Sequence, residues 1–215
     1  MAVAETPPAS RKIFCVGRNK SGTTSLAAAI QQLGLRLGAK MAGQRLLIDW
    51  IKRDFRSTIR HCRTADAFHD VPFSLDFTFQ AVDMVFPGSR FILSVRASPD
   101  EWYQSYIRFH TQDIGRGTLP TPERLKRHPF VYPGFFWLHQ TSIFGIDETT
   151  LYNRDIYIKN YMAHNERVQI YFKHRPADLL VLDLSVAHSM RTLCDFLEMP
   201  WRGQEMPHLN RTTRA

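Results

Sequence analysis

Lys12-Ile13-Phe14-Cys15-Val16-Gly17-Arg18-Asn19-Lys20-Ser21-Gly22-Thr23-Thr24-Ser25-Leu26 decides how the rest of the chain is read. Ile13 to Val16 is a short apolar run that predicts a buried strand, and it breaks at Gly17 into a polar turn. Leu26, Ile30 and Leu33 then recur at i, i+4 and i+7, so a helix with one apolar face follows. In a strand, glycine-bounded loop and helix, backbone N–H groups and the positive end of the helix dipole converge on an anion. Gly17 and Gly22 give the spacing G-x-x-x-x-G-T-T. A triphosphate-binding loop has lysine directly after its second glycine. Here Thr23 stands there, and the lysine lies inside the loop as Lys20.

Outward from this loop, 215 residues suffice for one α/β domain with a sizeable core and an inserted cap. Residues 1–10, with two prolines and no apolar stretch, are expected to be a flexible tail, neither signal peptide nor anchor. A single domain is expected over 11–215. No stretch approaches the ~18 apolar residues of a membrane span, so no stable membrane insertion is expected. Cys15, Cys62 and Cys194 are odd in number, and a reduced compartment without a disulfide framework is the simpler reading. Together these features predict a cytoplasmic protein. Lys and Arg number 28 against 20 Asp and Glu, a net charge of +8 that suits a polyanionic ligand without selecting one. The basic residues are dispersed and show no zinc-finger spacing, so a nucleic-acid partner is not expected.

Ile48, Ile51, Phe55, Ile59 and Cys62 recur at spacings of 3 and 4 and predict a second helix. Asp66 to Asp70 reads as a short strand stopped by Val71-Pro72, because proline cannot donate to a sheet ladder. Leu75, Phe79, Val82 and Phe86 share a helix face that ends at Pro87-Gly88. The apolar centre of Arg90 to Arg96 predicts a strand buried on both faces. Ser98-Pro99-Asp100-Glu101 is a helix start, and the helix should run to about His110. Residues 113–134 interleave glycine and proline with Arg124, Lys126, Arg127 and His128, a span too long for a simple connection. They lead into Phe135-Phe136-Trp137-Leu138, and 113–138 is the candidate acceptor lid. A long helix is expected over about 149–173, with Ile158, Tyr161, Asn165, Val168 and Phe172 on one stripe. A buried strand over 179–184 and a final helix carrying Met190, Leu193, Cys194 and Leu197 inward complete the pattern. Alternating strands and helices predict a three-layer fold around a mostly parallel sheet. Ligands bind such sheets beyond the carboxyl ends of the strands, and the first loop, Asp70 and Arg96 each follow a predicted strand.

The K-S-G-T-T run at a strand-to-helix junction resembles the nucleotide loop of the sulfotransferases that use 3'-phosphoadenosine 5'-phosphosulfate (PAPS). In that family the loop lysine and the Ser-Gly-Thr-Thr after it hold the 5'-phosphosulfate. The resemblance implies that Lys20, Ser21, Gly22, Thr23 and Thr24, flanked by Arg18, Asn19 and Ser25, bind the nucleotide. A second family signature grips the 3'-phosphate with an arginine at a strand end and a serine on the next helix. Arg96 and Ser105 are similar, although their spacing is one residue longer than usual and Ala97 replaces a common Asp or Asn. Either Ser105 still points in, or Ser98 shares the contact. Between the signatures the family places its acceptor-activating base just before a proline, often as H-x-P. The matching stretch is Asp70-Val71-Pro72, so Asp70 is the candidate base, provided burial raises its pKa and the hydroxyl lies in reach. Asp70 also reads as a turn-former bonding nearby N–H groups. Strand alternation points His69 to the opposite face, and His61, Asp76 and His110 are further candidates. His164 and Asn165 read either as site residues or as a buried hydrogen-bonding pair.

The likeness covers about residues 12 to 210, including Pro207-His208-Leu209-Asn210, but the R-K-G loop of many cytosolic members is absent, with Arg211 or Arg214 as stand-ins. It implies in-line transfer of a sulfuryl group from PAPS to a hydroxyl or amine of a small-molecule, glycan or lipid acceptor, without a metal. Lys20 and Asp70 would be catalytic, Lys20 stabilising charge on the leaving phosphate oxygen. A small ATP-dependent P-loop kinase and a non-catalytic nucleotide-binding relative are the alternatives.

Overall fold

Ile13 and Cys15 face one side of the central sheet and Phe14 the other, and this alternation sorts two of the three buried clusters of the fold. The structure, a computed structural model, describes residues 11–209. The expected tail at 1–10 and the candidates Arg211 and Arg214 lie outside that range. Strands β1 (Ile13–Cys15), β2 (Ala67–Phe68), β3 (Arg90–Val95) and β4 (Leu179–Asp183) form one sheet in the order β2-β1-β3-β4. All its pairings are parallel.

Helix α1 (Thr23–Gln32) follows the first loop and packs Leu26, Ala29 and Ile30 onto the Ile13 side. Three short helices come next: α2 (Lys40–Gln44), α3 (Leu47–Ile51) and α4 (Arg56–His61). The last two replace the single helix expected from Ile48 to Cys62. The chain turns at Arg53, which has φ 59°, and Asp54 receives the Arg56 N–H at 3.0 Å to start α4. Leu47 and Trp50 are therefore the buried residues of α3, whereas Ile48 and Ile51 face solvent.

Helix α5 (Thr78–Val85) lies on the Phe14 side. There Phe14 meets Phe68 and Phe73 at 5.8 Å and Phe91 at 5.4 Å between ring centroids. Truncating such a fully buried ring costs roughly 3–5 kcal/mol. Helix α6 (Pro99–Phe109) begins as the sequence predicts, with Ser98 accepting the Glu101 N–H at 3.1 Å, and widens into a π-turn over His110–Ile114. The long segment beyond carries a helix of its own, α7 (Pro122–Arg127), capped by Thr121, before α8 (Phe135–Phe144).

Helix α9 (Arg154–Phe172) starts later than the periodicity suggests, because Asn153 caps it and Asp147 ties Thr149 and Thr150 into a preceding turn. Its buried residues are Tyr157, Tyr161, His164, Val168 and Phe172, so Ile158 and Asn165 of the expected stripe sit at its margin. Strand β4 is an edge strand, not a doubly buried one, and Val181 is 43% exposed. Helix α10 (Ser189–Leu197) returns beside α1, bringing Met190, Leu193 and Cys194 inward. The molecule is a single α/β domain with an all-parallel sheet flanked by helices. Beyond the sheet a third, largely aromatic cluster joins Trp102, Tyr106, Phe135, Phe136, Phe144 and Tyr157 from α6, α8 and α9.

Candidate functional site

The first loop is pressed against β3. A Cβ on Gly17 would lie 2.3 Å from Ser94 Oγ and 2.4 Å from Ser94 O, so only glycine fits. Left-handed backbone at Lys20 (φ 74°) and Gly22 (φ 92°) curls the chain between strand and helix. Ser21 closes the curl: its Oγ donates to Arg18 O at 2.6 Å or shares a hydrogen with Ser94 Oγ at 2.7 Å. No side chain caps α1, and its first turn holds no acid. The N–H groups at that end are therefore available to an anion, with the helix dipole in support.

Lys20 Nζ rests 4.1 Å from the centre of the Phe109 ring. Burial lowers its pKa below the usual lysine value, with Asp113 opposing and Arg96 reinforcing the shift. Arg96 donates from Nε to Lys20 O at 2.9 Å, and its backbone N–H donates to Tyr161 Oη at 3.1 Å. The end of β3 is thus tied to the loop.

Lys20, Thr23 and Thr24 line a cavity of about 540 Å³. Its other walls come from Lys40 and Gln44 of α2, from Asp70, from Ser105 of α6, and from an aromatic side made by Phe109, Phe130, Phe135 and Phe136. Asp113, Phe130, Phe135 and Phe136 belong to the segment read as a lid. Ser105 lies on the wall despite its longer spacing from Arg96, while Ser98 is occupied in capping its own helix.

Asp70 is only 4% exposed and has φ 66°. Its Oδ1 accepts the Val71 N–H at 3.0 Å and a short hydrogen bond from Asn19 Nδ2, and its Oδ2 lies 2.9 Å from Lys40 Nζ. Asp70 therefore braces its own turn and also faces the cavity. The expectation that burial raises its pKa is corrected. Burial pushes upward, but the Lys40 ammonium and the other hydrogen-bond partners outweigh it and hold the carboxyl below its usual range. Asp70 is ionised at neutral pH.

The remaining candidates separate cleanly. Arg18 turns inward and donates to Ser74 O at 3.0 Å and Asn160 Oδ1 at 2.9 Å, with Asp76 Oδ2 at 3.3 Å. Its side chain is not on the large cavity's wall. Ser25 Oγ accepts the Leu209 N–H at 3.0 Å. Asp76 and His164 belong to the same inner network, where His164 Nδ1 is 2.6 Å from Asp76 Oδ1 and Nε2 is 2.8 Å from Val16 O. His61 packs edge-on against Phe68, away from the cavity. His110 is on the wall, stacked on Tyr106 at 4.4 Å, and burial holds it neutral, well below the usual histidine value.

Two wall residues have no sequence signal. Lys40 stands in a stretch without a motif, and His139 hides in the aromatic run of α8. Only the meeting of α2, α8 and the segment after β2 reveals them. Burial pushes His139 down to about 4.

An all-parallel α/β sheet with an anion-ready loop after its first strand defines a domain of the P-loop sulfotransferase-like class. The chain belongs to the sulfotransferase family: the family model for the sulfotransferase domain matches residues 12–215. No curated protein matches the sequence. Membership makes the protein a transferase that moves a sulfuryl group. Among the described residues no group of His, Cys, Asp or Glu is placed to hold a metal ion, and no helix is long and apolar enough to cross a membrane.

Proposed function

We propose that the cavity takes PAPS as donor and transfers its sulfuryl group to an acceptor bound against the aromatic wall. The observation that carries this reading is that Lys20, Thr23, Thr24, Asp70 and Ser105 line one cavity. The residues suit the donor: an uncapped helix end, an ammonium and two threonine hydroxyls match a phosphosulfate, and Ser105 on the wall, with Arg96 tied to the loop through Lys20 O, matches a 3'-phosphate. When bound, the donor supplies an activated sulfuryl group whose S–O bond to phosphate is the one that breaks.

Asp70 accepts the acceptor's proton as the acceptor oxygen bonds to sulfur. Its Oδ2 carries the Lys40 contact and keeps a second lone pair for that proton. A carboxylate held below its usual pKa is a weak base, so the proton moves late, once the new O–S bond has made the hydroxyl acidic. Lys20 and the N–H groups of Thr23 and Thr24 meet the charge that grows on the leaving phosphate oxygen. Phe109, Phe130, Phe135 and Phe136 exclude water from the reacting atoms. The protein acts in this reading as a cytoplasmic enzyme on a small-molecule, glycan or lipid acceptor, with the 113–138 segment as its lid.

Calorimetry with 3'-phosphoadenosine 5'-phosphate, ADP and Mg²⁺-ATP tests the donor. The first should bind at least about tenfold more tightly than ADP, because only it carries the 3'-phosphate. Equal affinities, or turnover of Mg²⁺-ATP, would replace this reading with that of a kinase.

A further inference from the structure

His139 stands where two cavities meet. It lines the large one and also a small one of about 10 Å³ behind it. Leu75, Trp102, Ile143 and Phe144 give the small cavity apolar walls, and Arg18, Asn19 and Tyr106 complete it. Three polar atoms of these residues are buried without a hydrogen-bond partner among the described residues: Arg18 Nε, Tyr106 Oη and His139 Nε2. The residues themselves are only 3%, 2% and 8% exposed. Leaving such groups unsatisfied is costly, because each has given up its hydrogen bond to water. A space of about one water-sized sphere with two to four polar partners is the setting in which proteins hold a buried water.

We infer that the small cavity binds one water molecule, and that this water sets the tautomer of His139 so that the imidazole selects hydroxyl acceptors over amines. The count of hydrogens gives the direction. Arg18 Nε–H can only donate. Tyr106 keeps its phenolic proton, since burial pushes its ionisation well above the usual value, and that proton has no other acceptor among the described residues. A water that accepts from both has only its own two hydrogens to give, and His139 Nε2 receives one of them as a bare nitrogen. The neutral ring then carries its hydrogen on Nδ1, the nitrogen left for the large cavity that Asp70 also lines. A hydroxyl fits between the two groups: its oxygen accepts from His139 Nδ1–H while its hydrogen goes to Asp70. A neutral amine has a single lone pair, which must go to sulfur, and its ammonium form has none, so either would leave the Nδ1–H donor unpaired, whereas a hydroxyl oxygen has a second lone pair for it. His139 is in this account a positioning residue that fixes acceptor class.

The selectivity half rests on the sulfuryl-transfer reading, whereas the water and the tautomer do not. Nitrogen-15 NMR of the histidine-labelled protein, with His139 assigned by the signals lost in His139→Gln, reads the tautomer directly. A single Nδ1–H form is expected in the wild type, giving way to a mixture in Tyr106→Phe, which removes one hydrogen from the water. An Nε2–H form, or a mixture already in the wild type, would overturn the inference. Sulfuryl transfer to 2-phenylethanol and 2-phenylethylamine supplies the second readout. The alcohol-to-amine ratio of kcat/KM should fall about tenfold in Tyr106→Phe, the loss of roughly one satisfied donor, with 3'-phosphoadenosine 5'-phosphate still bound. An unchanged ratio would refute the selectivity. If the wild type does not bind that nucleotide, the transfer reading fails, and the tautomer alone still decides the buried water.

Discussion

Asp70, buried, and Asp76, partly buried, are carboxylates six positions apart in the chain, and their surroundings differ. Asp76 is enclosed by cationic and hydrogen-bonding partners: Arg18 at 3.3 Å, Arg167 at 2.7 Å and His164 at 2.6 Å. Asp70 has one cation, Lys40, which is half exposed, and its other side is open to the cavity. Both acids lie below the usual carboxylate range. Each acid has three partners, and what separates them is their charge and place: two arginines and a histidine hold Asp76, whereas a half-exposed lysine, an amide and a backbone N–H hold Asp70 beside the cavity. A carboxylate locked between arginines builds structure, and one that borders a cavity can meet a ligand.

The sharpest way to break this contrast is Asp76→Ala, which leaves Arg18 inside the protein without its carboxylate. It should cost roughly 3–5 kcal/mol in urea unfolding, and a loss no greater than that of Asp70→Ala would erase the distinction. Lys20→Ala, on the open side, should leave the melting curve near that of the wild type while lowering transfer roughly 10²–10³-fold, about 3–4 kcal/mol. Retained transfer would remove Lys20 from the chemistry.

Lys40→Met tests what holds Asp70 ionised. Because the folded pKa of Asp70 is depressed, its contribution to stability is present above the unfolded value of 3.8 and is lost as pH falls through the folded one. Without Lys40 the burial effect prevails, and the acid limb of the transfer–pH profile should move to higher pH. An unmoved limb would assign that limb to another group. The smallest effect is expected for Arg96→Ala, which should weaken 3'-phosphoadenosine 5'-phosphate binding about five- to tenfold, or about 1 kcal/mol, in calorimetry.

The sheet and the loop were legible because their signals are local. Ile13 to Val16, Arg90 to Val95 and the glycines at 17 and 22 carry their structure in spacing and residue type. The helix expected from Ile48 to Cys62 was misread because periodicity does not register the reversal at Arg53. The direction of the Asp70 shift was out of reach for a different reason. It is set by Lys40, thirty positions earlier, on a helix that no apolar pattern announces. His139 was hidden likewise, since a histidine among phenylalanines reads as core until the fold opens a cavity on each side of it.

The perch of Lys20 on the Phe109 ring has a consequence for how an anion is received. An ammonium that lies against an aromatic face has already shed part of its hydration shell. The unfavourable step of stripping water from a lysine is therefore taken largely during folding, before any ligand arrives. An incoming anion meets a charge that exchanges one weak, non-directional neighbour for a strong one, with little solvent left to displace.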